Sequence, residues 1–237
     1  MVVSEGFRDD LIRRGVPAAK VVTIRNGVDL DRFDPGHEAP AGLRERLGCR
    51  PGDTLVLYIG AHGISQGLAS VVEAAASARD AGIHLTLVGE GADKKAVTAR
   101  LAELGATNVT MLPGVTRDEV ADCLAAADIC LVPLRDVPLF DTFLPSKMFE
   151  LMGAGRPVLG SVRGESAQLL RDAGQEVVPP GDVPAIAHAM RDLAGDPRRR
   201  DEMGRTGRSY VEDHFDRRVL ADRYLELLEL VLERSRS

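Results

Sequence analysis

The sequence predicts an α/β protein built on a doubly wound parallel sheet of the Rossmann-like type. From residue 54 onward, short apolar runs alternate with stretches whose apolar residues recur every three or four positions, as in buried strands and amphipathic helices. Two of the helical stretches end directly before a glycine, Gly82 and Gly105, and glycine readily takes the left-handed conformation that closes a helix. This alternation is typical of helices that cover both faces of a parallel sheet.

The predicted elements of the main repeat follow in order. Strands are expected at residues 55–59, 85–88, 109–112, 129–132, 158–159 and 176–178. Helices are expected at residues 68–81 and 94–104, and again near the C-terminus at residues 198–210 and 217–232. The last helix has apolar residues on one side, which we expect to mark an assembly surface: Leu220, Leu227, Leu228 and Val231.

The N-terminal region does not fit this repeat. Residues 6–14 and 21–24 predict one helix and one strand, which need a neighbouring sheet to be stable. Residues 37–50 are rich in glycine, proline and charge, as expected of a linker. The predicted organisation is therefore an N-terminal remnant at 1–36, a linker at 37–53, a Rossmann-like domain at 54–196 and C-terminal helices at 197–237.

Composition excludes several classes of function. With 237 residues, of which 44% are hydrophobic, the chain can bury a sizeable core, but a net charge of -6 gives no basis for nucleic-acid binding. No apolar run approaches the roughly twenty residues that cross a bilayer, and the N-terminus lacks the pattern of a secretory signal, so we expect a cytoplasmic protein. The spacing of Cys49, Cys123 and Cys130 matches no zinc site, and we expect buried structural thiols and no bound metal.

The stretch from Pro145 to Glu150 is the most informative part of the chain. Pro145 favours the first turn of a helix, and the backbone N–H groups of Ser146 and Lys147 then lack helical acceptors. Glu150 follows about one turn later on the same face. This arrangement predicts a site for an anion such as a phosphate, with a lysine and a glutamate beside it.

Glycine-rich loops follow the first three predicted strands. Gly60 and Gly63 follow strand 55–59, Gly89 follows strand 85–88, and Gly114 follows strand 109–112. Ligands of doubly wound sheets bind beyond the carboxyl ends of the strands. We therefore expect these loops and the Pro145–Glu150 stretch to converge on one crevice.

These motifs resemble the donor site of the retaining glycosyltransferases of the GT-B fold, glycosyltransferase group 1 (family 4). The most similar branch is the one that makes bacterial surface polysaccharides, because its members have Pro-Ser-Lys before the glutamate. Within that branch, the chain resembles the fucosamine transferases. Further matches lie in order along the chain: residues 3–7, 26–29, 33–35, 60–63, 66–68 and 87–91. The resemblance covers the C-terminal half of that fold and leaves the N-terminal acceptor domain almost entirely absent.

The resemblance implies a role for each site residue. Glu150 would accept the ribose hydroxyls of a nucleotide sugar, and Lys147, the other residue assigned a catalytic role, would offset the charge of the leaving diphosphate. Further donor-site residues are implied, with the base beside Gly114 and Val115: Gly60, His62, Gly63, Gly89, Gly114, Val115, Pro145 and Ser146. The implied reaction is metal-independent transfer of a sugar, with retention, from a UDP-linked donor to a glycan or lipid-linked acceptor.

Several positions depart from the family pattern. The first glutamate of the family's pair falls at Thr142, next to Asp141, and Ala61 and Gln66 replace an arginine and a lysine that neutralise the diphosphate. His62 is interpreted either as a turn residue or as a proton donor to phosphate. In place of a complete enzyme, the chain is alternatively an inactive nucleotide-sugar-binding module or one half of a two-chain transferase, held at the inner membrane by its partner. An epimerase of related fold is a third alternative.

Overall fold

The computed structural model describes the backbone of residues 1–236 and the side chains of residues 1–233. In this part of the chain, all strands of the main sheet are parallel: β1 (Thr54–Ile59), β2 (Ile83–Val88), β3 (Val109–Leu112), β4 (Ile129–Pro133), β5 (Val158–Ser161) and β6 (Glu176–Val178). Their order is β3-β2-β1-β4-β5-β6, so the direction of winding reverses between β1 and β4. The predicted doubly wound sheet is confirmed, and each predicted strand lies within an observed one.

Helices cover both faces of the sheet. They are α1 (Glu5–Arg13), α2 (Leu43–Arg46), α3 (Leu68–Ser77), α4 (Lys94–Leu104), α5 (Glu119–Ala126), α6 (Lys147–Gly153), α7 (Gly164–Asp172), α8 (Val183–Gly195), α9 (Pro197–His214) and α10 (Arg217–Arg236). One core cluster joins the sheet to α5, α6 and α7, and the other joins it to α3, α4 and α8. These two cores hold the strands rigidly, and the loops at the carboxyl edge project from them.

Glycines end two of the helices, as predicted. The α-helical part of α3 ends at Ser77, earlier than expected, and a 3-10 turn at Arg79–Ala81 leads to Gly82 with φ 62°. Helix α4 has the predicted bounds, and Gly105 follows it with φ 55°. Both glycines adopt the left-handed conformation that side-chain-bearing residues rarely take.

The predicted strand at residues 21–24 is wrong. Val2 and Thr23 form a single parallel bridge, because the sheet that would extend this pairing is absent from the described residues. The segment is instead held through α1. Ser4 caps this helix, and the Glu165 carboxylate accepts bonds from the Glu5 and Gly6 N–H groups, at 3.2 and 3.1 Å, and from Arg25 at 2.9 Å. The N-terminal segment is thereby fixed on the main domain.

The predicted linker at 37–53 also lies against the domain. It contains the short helix α2, and the Arg44 guanidinium donates to the Asp128 carboxylate at 2.8 Å and to the carbonyl oxygen of Asp53 at 2.9 Å. At the other end, α9 and α10 confirm the two C-terminal helices. Leu220 is buried, but much of the apolar face of α10 is exposed, including Leu228 and Val231.

All three cysteine thiols are buried, and none forms a disulfide. Burial raises the pKa of Cys123 to about 11 and that of Cys130 to about 12, so both thiols stay protonated. Among the described helices, none combines the length and apolar character that a membrane span needs.

Candidate functional site

Lys147 lies under the loop that follows β1. Its Nζ atom donates to the carbonyl oxygen of Ile59 at 3.2 Å and lies 4.0 Å from the centroid of the Tyr58 ring. A Cβ atom at Gly60 would lie 2.6 Å from this nitrogen, so a side chain there would displace the ammonium group. The structure therefore brings Lys147 into contact with the glycine loop, as the sequence predicted.

The ammonium group of Lys147 has no carboxylate partner within ion-pair distance in the described part of the chain. Burial lowers its pKa to about 8, and the more distant Glu150 offsets this effect only in part. A buried, unpaired cation is costly unless an anion meets it. The electrostatics of the site thus favour an anionic ligand beside Gly60.

Helix α6 begins beside the glycine loop that follows β1. Met148 and Phe149 donate their N–H groups to the carbonyl oxygens of Pro145 and Ser146, both at 3.1 Å. The N–H groups of Ser146 and Lys147 have no acceptor among the described residues, and the Ser146 side chain makes no capping bond. The two free donors lie where the sequence placed them.

Glu150 lies one turn into α6, half-buried. Its carboxylate accepts no hydrogen bond from the described residues, and burial raises its pKa against the opposing effect of Arg217, Lys147 and Arg117. With Ser146, Asn26 and Arg217 it lines a cavity of about 450 Å³. This carboxylate can accept hydrogen bonds from a polar ligand.

The loops after β1 and β2 touch through their backbones. A Cβ atom at Gly89, where φ is 151°, would overlap the carbonyl oxygen of Gly60, and one at Gly91 would overlap the backbone of His62. His62 donates its N–H to the carbonyl oxygen of Glu90 at 2.8 Å and accepts from the Asp93 N–H at 2.9 Å. The two loops therefore form one rigid wall of the crevice.

The His62 side chain lies inside this wall. It is 0% exposed, and neither ring nitrogen has a hydrogen-bond partner in the described structure. Burial lowers its pKa, and the nearby Lys94 and Lys147 add to the effect, so the ring is neutral at pH 7. This placement favours the interpretation as a turn residue over a proton donor to phosphate.

The remaining predicted residues line the outer crevice. Gly63 starts the 3-10 turn Ile64–Gln66, and Gly114 and Val115 are exposed after β3. Lys94 and Lys95 follow the β2 loop at the start of α4, and their roles could not be assigned from the sequence. Lys94 proves structural, because its Nζ atom donates to the carbonyl oxygens of Gly89 and Leu112, at 2.8 and 3.0 Å, and to the Glu90 carboxylate at 2.7 Å.

Comparison with known proteins agrees with this geometry. Residues 53–196, more than half of the chain, match the sequence profile of the family described as Glycosyl transferases group 1. The chain belongs to the glycosyltransferase group 1 family. The family predicted from the motifs is therefore confirmed.

Two glycosyltransferases that are similar in sequence support the same family. The GDP-mannose-dependent alpha-(1-6)-phosphatidylinositol monomannoside mannosyltransferase of Mycolicibacterium smegmatis is 31% identical over 220 residues, covering 90% of this chain and 57% of that protein. The putative colanic acid biosynthesis glycosyl transferase WcaI of Escherichia coli K12 is 28% identical over 154 residues, covering 65% and 38%. This glycosyltransferase group 1 chain thus spans 57% of the first relative's length.

A solved structure shows the same fold. Anabaena HepE, crystallised in complex with UDP and glucose, superimposes with a TM-score of 0.83 at 19% identity, covering 96% of this chain and 62% of that one. At this identity the likeness concerns the fold alone. It confirms the predicted Rossmann-like half of a GT-B glycosyltransferase.

In this family member, Thr142 stands where the family has the first glutamate of its pair, and its side chain packs against α1. Thr142 packs so tightly on α1 that a Cβ atom at Gly6 would overlap its methyl group. The neighbouring Asp141 accepts a bond from Arg163 at 2.5 Å. Two residues replace the family's cations in the loop after β1. Ala61 is exposed, and the Oε1 atom of Gln66 is buried without a partner in the described residues. Neither replacement restores a charge at these two positions, so the contact of the Lys147 ammonium with the loop gains importance.

Sequence reasoning missed Tyr58. The residue lies within the apolar run of β1 and was interpreted there only as part of a strand. A phenol in an otherwise aliphatic strand was the one available signal, because a buried hydroxyl needs a partner. Its contacts with the lysine and the loop depend on the register between β1 and α6, which the sequence does not give.

Proposed function

We propose that this chain binds a nucleoside diphosphate sugar in the crevice and is the donor-binding half of a retaining glycosyltransferase of bacterial polysaccharide or glycoconjugate synthesis. The observation that supports this proposal is the Lys147 ammonium, which has no carboxylate partner among the described residues and lies against the glycine loop after β1. A diphosphate supplies the missing negative charge. In this proposal Glu150, one turn further along α6, accepts the hydroxyls of the attached ribose.

The chemistry assigned to these residues is electrostatic. As the bond from the anomeric carbon to the diphosphate breaks, negative charge grows on the leaving oxygens, and a preorganised cation and N–H donors stabilise it. Lys147 and the free N–H groups at the start of α6 provide them. An acceptor-binding domain would hold the acceptor hydroxyl against the anomeric carbon, and we propose that this part lies outside the present chain.

A binding module without turnover is the second candidate. It is favoured by the absence of a free carboxylate where the family has its first glutamate: Thr142 packs on Gly6 there, and the neighbouring Asp141 is paired with Arg163. In that case the diphosphate and ribose contacts persist, but the sugar lacks its carboxylate partner. Both candidates predict nucleotide binding, and turnover separates them.

The base of the donor stays a proposal. We propose UDP, following the resemblance: the Anabaena structure contains UDP, whereas the Mycolicibacterium relative is named for its dependence on GDP-mannose. Calorimetry with UDP, GDP and ADP tests the proposal directly. Binding of UDP in preference to GDP and ADP supports the choice of UDP, a preference for GDP or ADP overturns that choice alone, and failure of all three to bind refutes both candidates. A cytoplasmic location, with membrane attachment through a partner, likewise remains a prediction.

Replacing Glu150 with glutamine should weaken the binding of UDP and of uridine by the same factor. The ribose is common to both ligands, and a hydrogen bond to a charged group is worth about 1.5–3 kcal/mol, or about 10- to 100-fold in affinity. Calorimetric titration of both ligands measures the two losses. Glu202→Gln on the exposed face of α9 is the matched control and should bind like the parent. A loss for UDP alone would contradict the ribose assignment.

Affinity for UDP should fall as the pH rises above about 8. Lys147 has its pKa lowered to about 8 by burial, so the free protein loses this charge near that pH. A bound diphosphate favours the charged form and raises the pKa again, so binding is strongest below this range and declines above it. Titrations between pH 7 and pH 10 measure the decline. Uridine serves as the control ligand: it reports any change that comes from titration of the uracil base itself, and the decline for UDP should begin at lower pH and exceed that for uridine.

A further inference from the structure

We propose that Tyr58 is the positioning residue of the diphosphate subsite: its ring holds the Lys147 ammonium in place and its hydroxyl holds the loop above it. This inference rests on the proposed function. Both contacts are made by one fully buried side chain, which is 0% exposed: the ring contacts the ammonium, and the hydroxyl contacts the loop. Tyr58 thus links the cation and the loop that would meet the ligand.

The hydroxyl fixes the loop. It donates to the carbonyl oxygen of Ala61 at 2.6 Å, and the burial that surrounds it raises the pKa of the phenol, so the group stays a donor. Ala61 lies between Gly60 and His62, the loop residues in contact with the β2 loop. The bond therefore adds a side-chain restraint on the β1 loop to the backbone contacts that Gly60 and His62 make with the β2 loop.

The ring fixes the lysine without neutralising it. The ammonium lies 4.0 Å from the ring centroid, a distance at which the ring's negative face attracts a cation. A carboxylate in this place would hold the lysine more strongly but would also cancel its charge. An aromatic ring gives the same placement and leaves a full positive charge to face a diphosphate.

The surrounding titratable groups do not take over this role. Glu150 faces Lys147 from the same helix but forms no ion pair with it in the described residues. The His62 ring lies 5.8 Å from the Tyr58 ring, centroid to centroid, and Lys94 and Glu90 act on it from the β2 loop. His62 is neutral at pH 7, so the groups in direct contact that attract the ammonium are the ring of Tyr58 and the carbonyl oxygen of Ile59, and of these only the ring belongs to a side chain that can be replaced.

The test compares Tyr58→Leu and Tyr58→Phe with the parent chain, using UDP and uridine as probes. Leucine removes both contacts, and we expect UDP affinity to fall about 3- to 30-fold, as for a desolvated cation–π contact, with uridine affinity unchanged. The pH at which UDP binding declines should also move down by about half a unit to one unit, because the ring no longer stabilises the charged lysine. A purely structural role would not move this midpoint.

Phenylalanine separates the two contacts and is the milder variant should leucine unfold the chain. It keeps the ring, so the pH midpoint should match the parent, while UDP affinity falls about threefold as the loop loses its bond. Tyr210→Phe on α9 is the control and should match the parent throughout.

The outcomes distinguish this inference from the function on which it rests. If the parent chain binds no nucleoside diphosphate, the proposed function fails. If the parent binds but the leucine variant keeps the parent's ratio of UDP to uridine affinity, or an unchanged or raised pH midpoint, the positioning role fails alone. Parent-like UDP affinity in the phenylalanine variant would likewise overturn it.

Discussion

Replacing Lys147 with methionine is expected to weaken UDP binding by about 10- to 100-fold and to leave uridine binding unchanged. A charge-assisted hydrogen bond contributes about 1.5–3 kcal/mol, and Lys147 is the buried cation beside the glycine loop. Methionine has a similar length and suits the contact with the Tyr58 ring. Calorimetry with both ligands measures the two affinities.

The same substitution should not lower the stability of the fold. Removing an unpaired buried charge removes a desolvation cost, so the midpoint of thermal unfolding should stay level or rise. Lys95→Met, on the exposed side of α4, is the control and should bind UDP like the parent. Equal losses for UDP and uridine in the Lys147 variant would refute its assignment to the diphosphate.

Replacing Gly89 with alanine is expected to destabilise the protein by about 2 to 4 kcal/mol, the combined cost of a strained backbone and an overlap that the core must absorb. The added Cβ atom would overlap the carbonyl oxygen of Gly60, and φ at this residue is 151°. Neither obstacle can be relieved by a side-chain rotation, because both lie in the main chain. Denaturant unfolding measures the loss, and UDP affinity should fall as the loops separate.

Gly114→Ala is the matched control for that variant. The nearest atom to a Cβ atom at Gly114 is the Cγ of Glu90 at 3.9 Å, which is an ordinary contact. Its stability should therefore stay within about 0.5 kcal/mol of the parent, as for a surface substitution. Similar losses in both variants would show that the contact between the first two loops is not what makes Gly89 necessary.

The features predicted correctly from sequence are those that depend on local pattern. Apolar runs and helical periodicity gave all six described strands, and Gly82 and Gly105 gave two helix ends, because each signal is contained within a few residues. The juxtaposition of Lys147 with Gly60 was also predicted, since strand ends of a parallel sheet meet at one edge.

The features that the sequence did not predict depend on partners distant in the chain. The strand at 21–24 lacks the sheet it needs, and α1 is held instead by Glu165, about 160 residues away. The role of Lys94 stayed open from the sequence, and in the structure its ammonium group donates to carbonyl oxygens at the ends of two strands. The burial of His62 and the contacts of Tyr58 follow from how two loops and a helix pack, which periodicity does not reveal.

The meeting of the first two loops has a consequence for how this protein can diverge. Gly60 and Gly89 contact each other through backbone atoms, which every amino acid has, so the shape of this wall of the crevice does not depend on the side chains around it. Mutations elsewhere can accumulate without reshaping the wall, provided that the two glycines are kept.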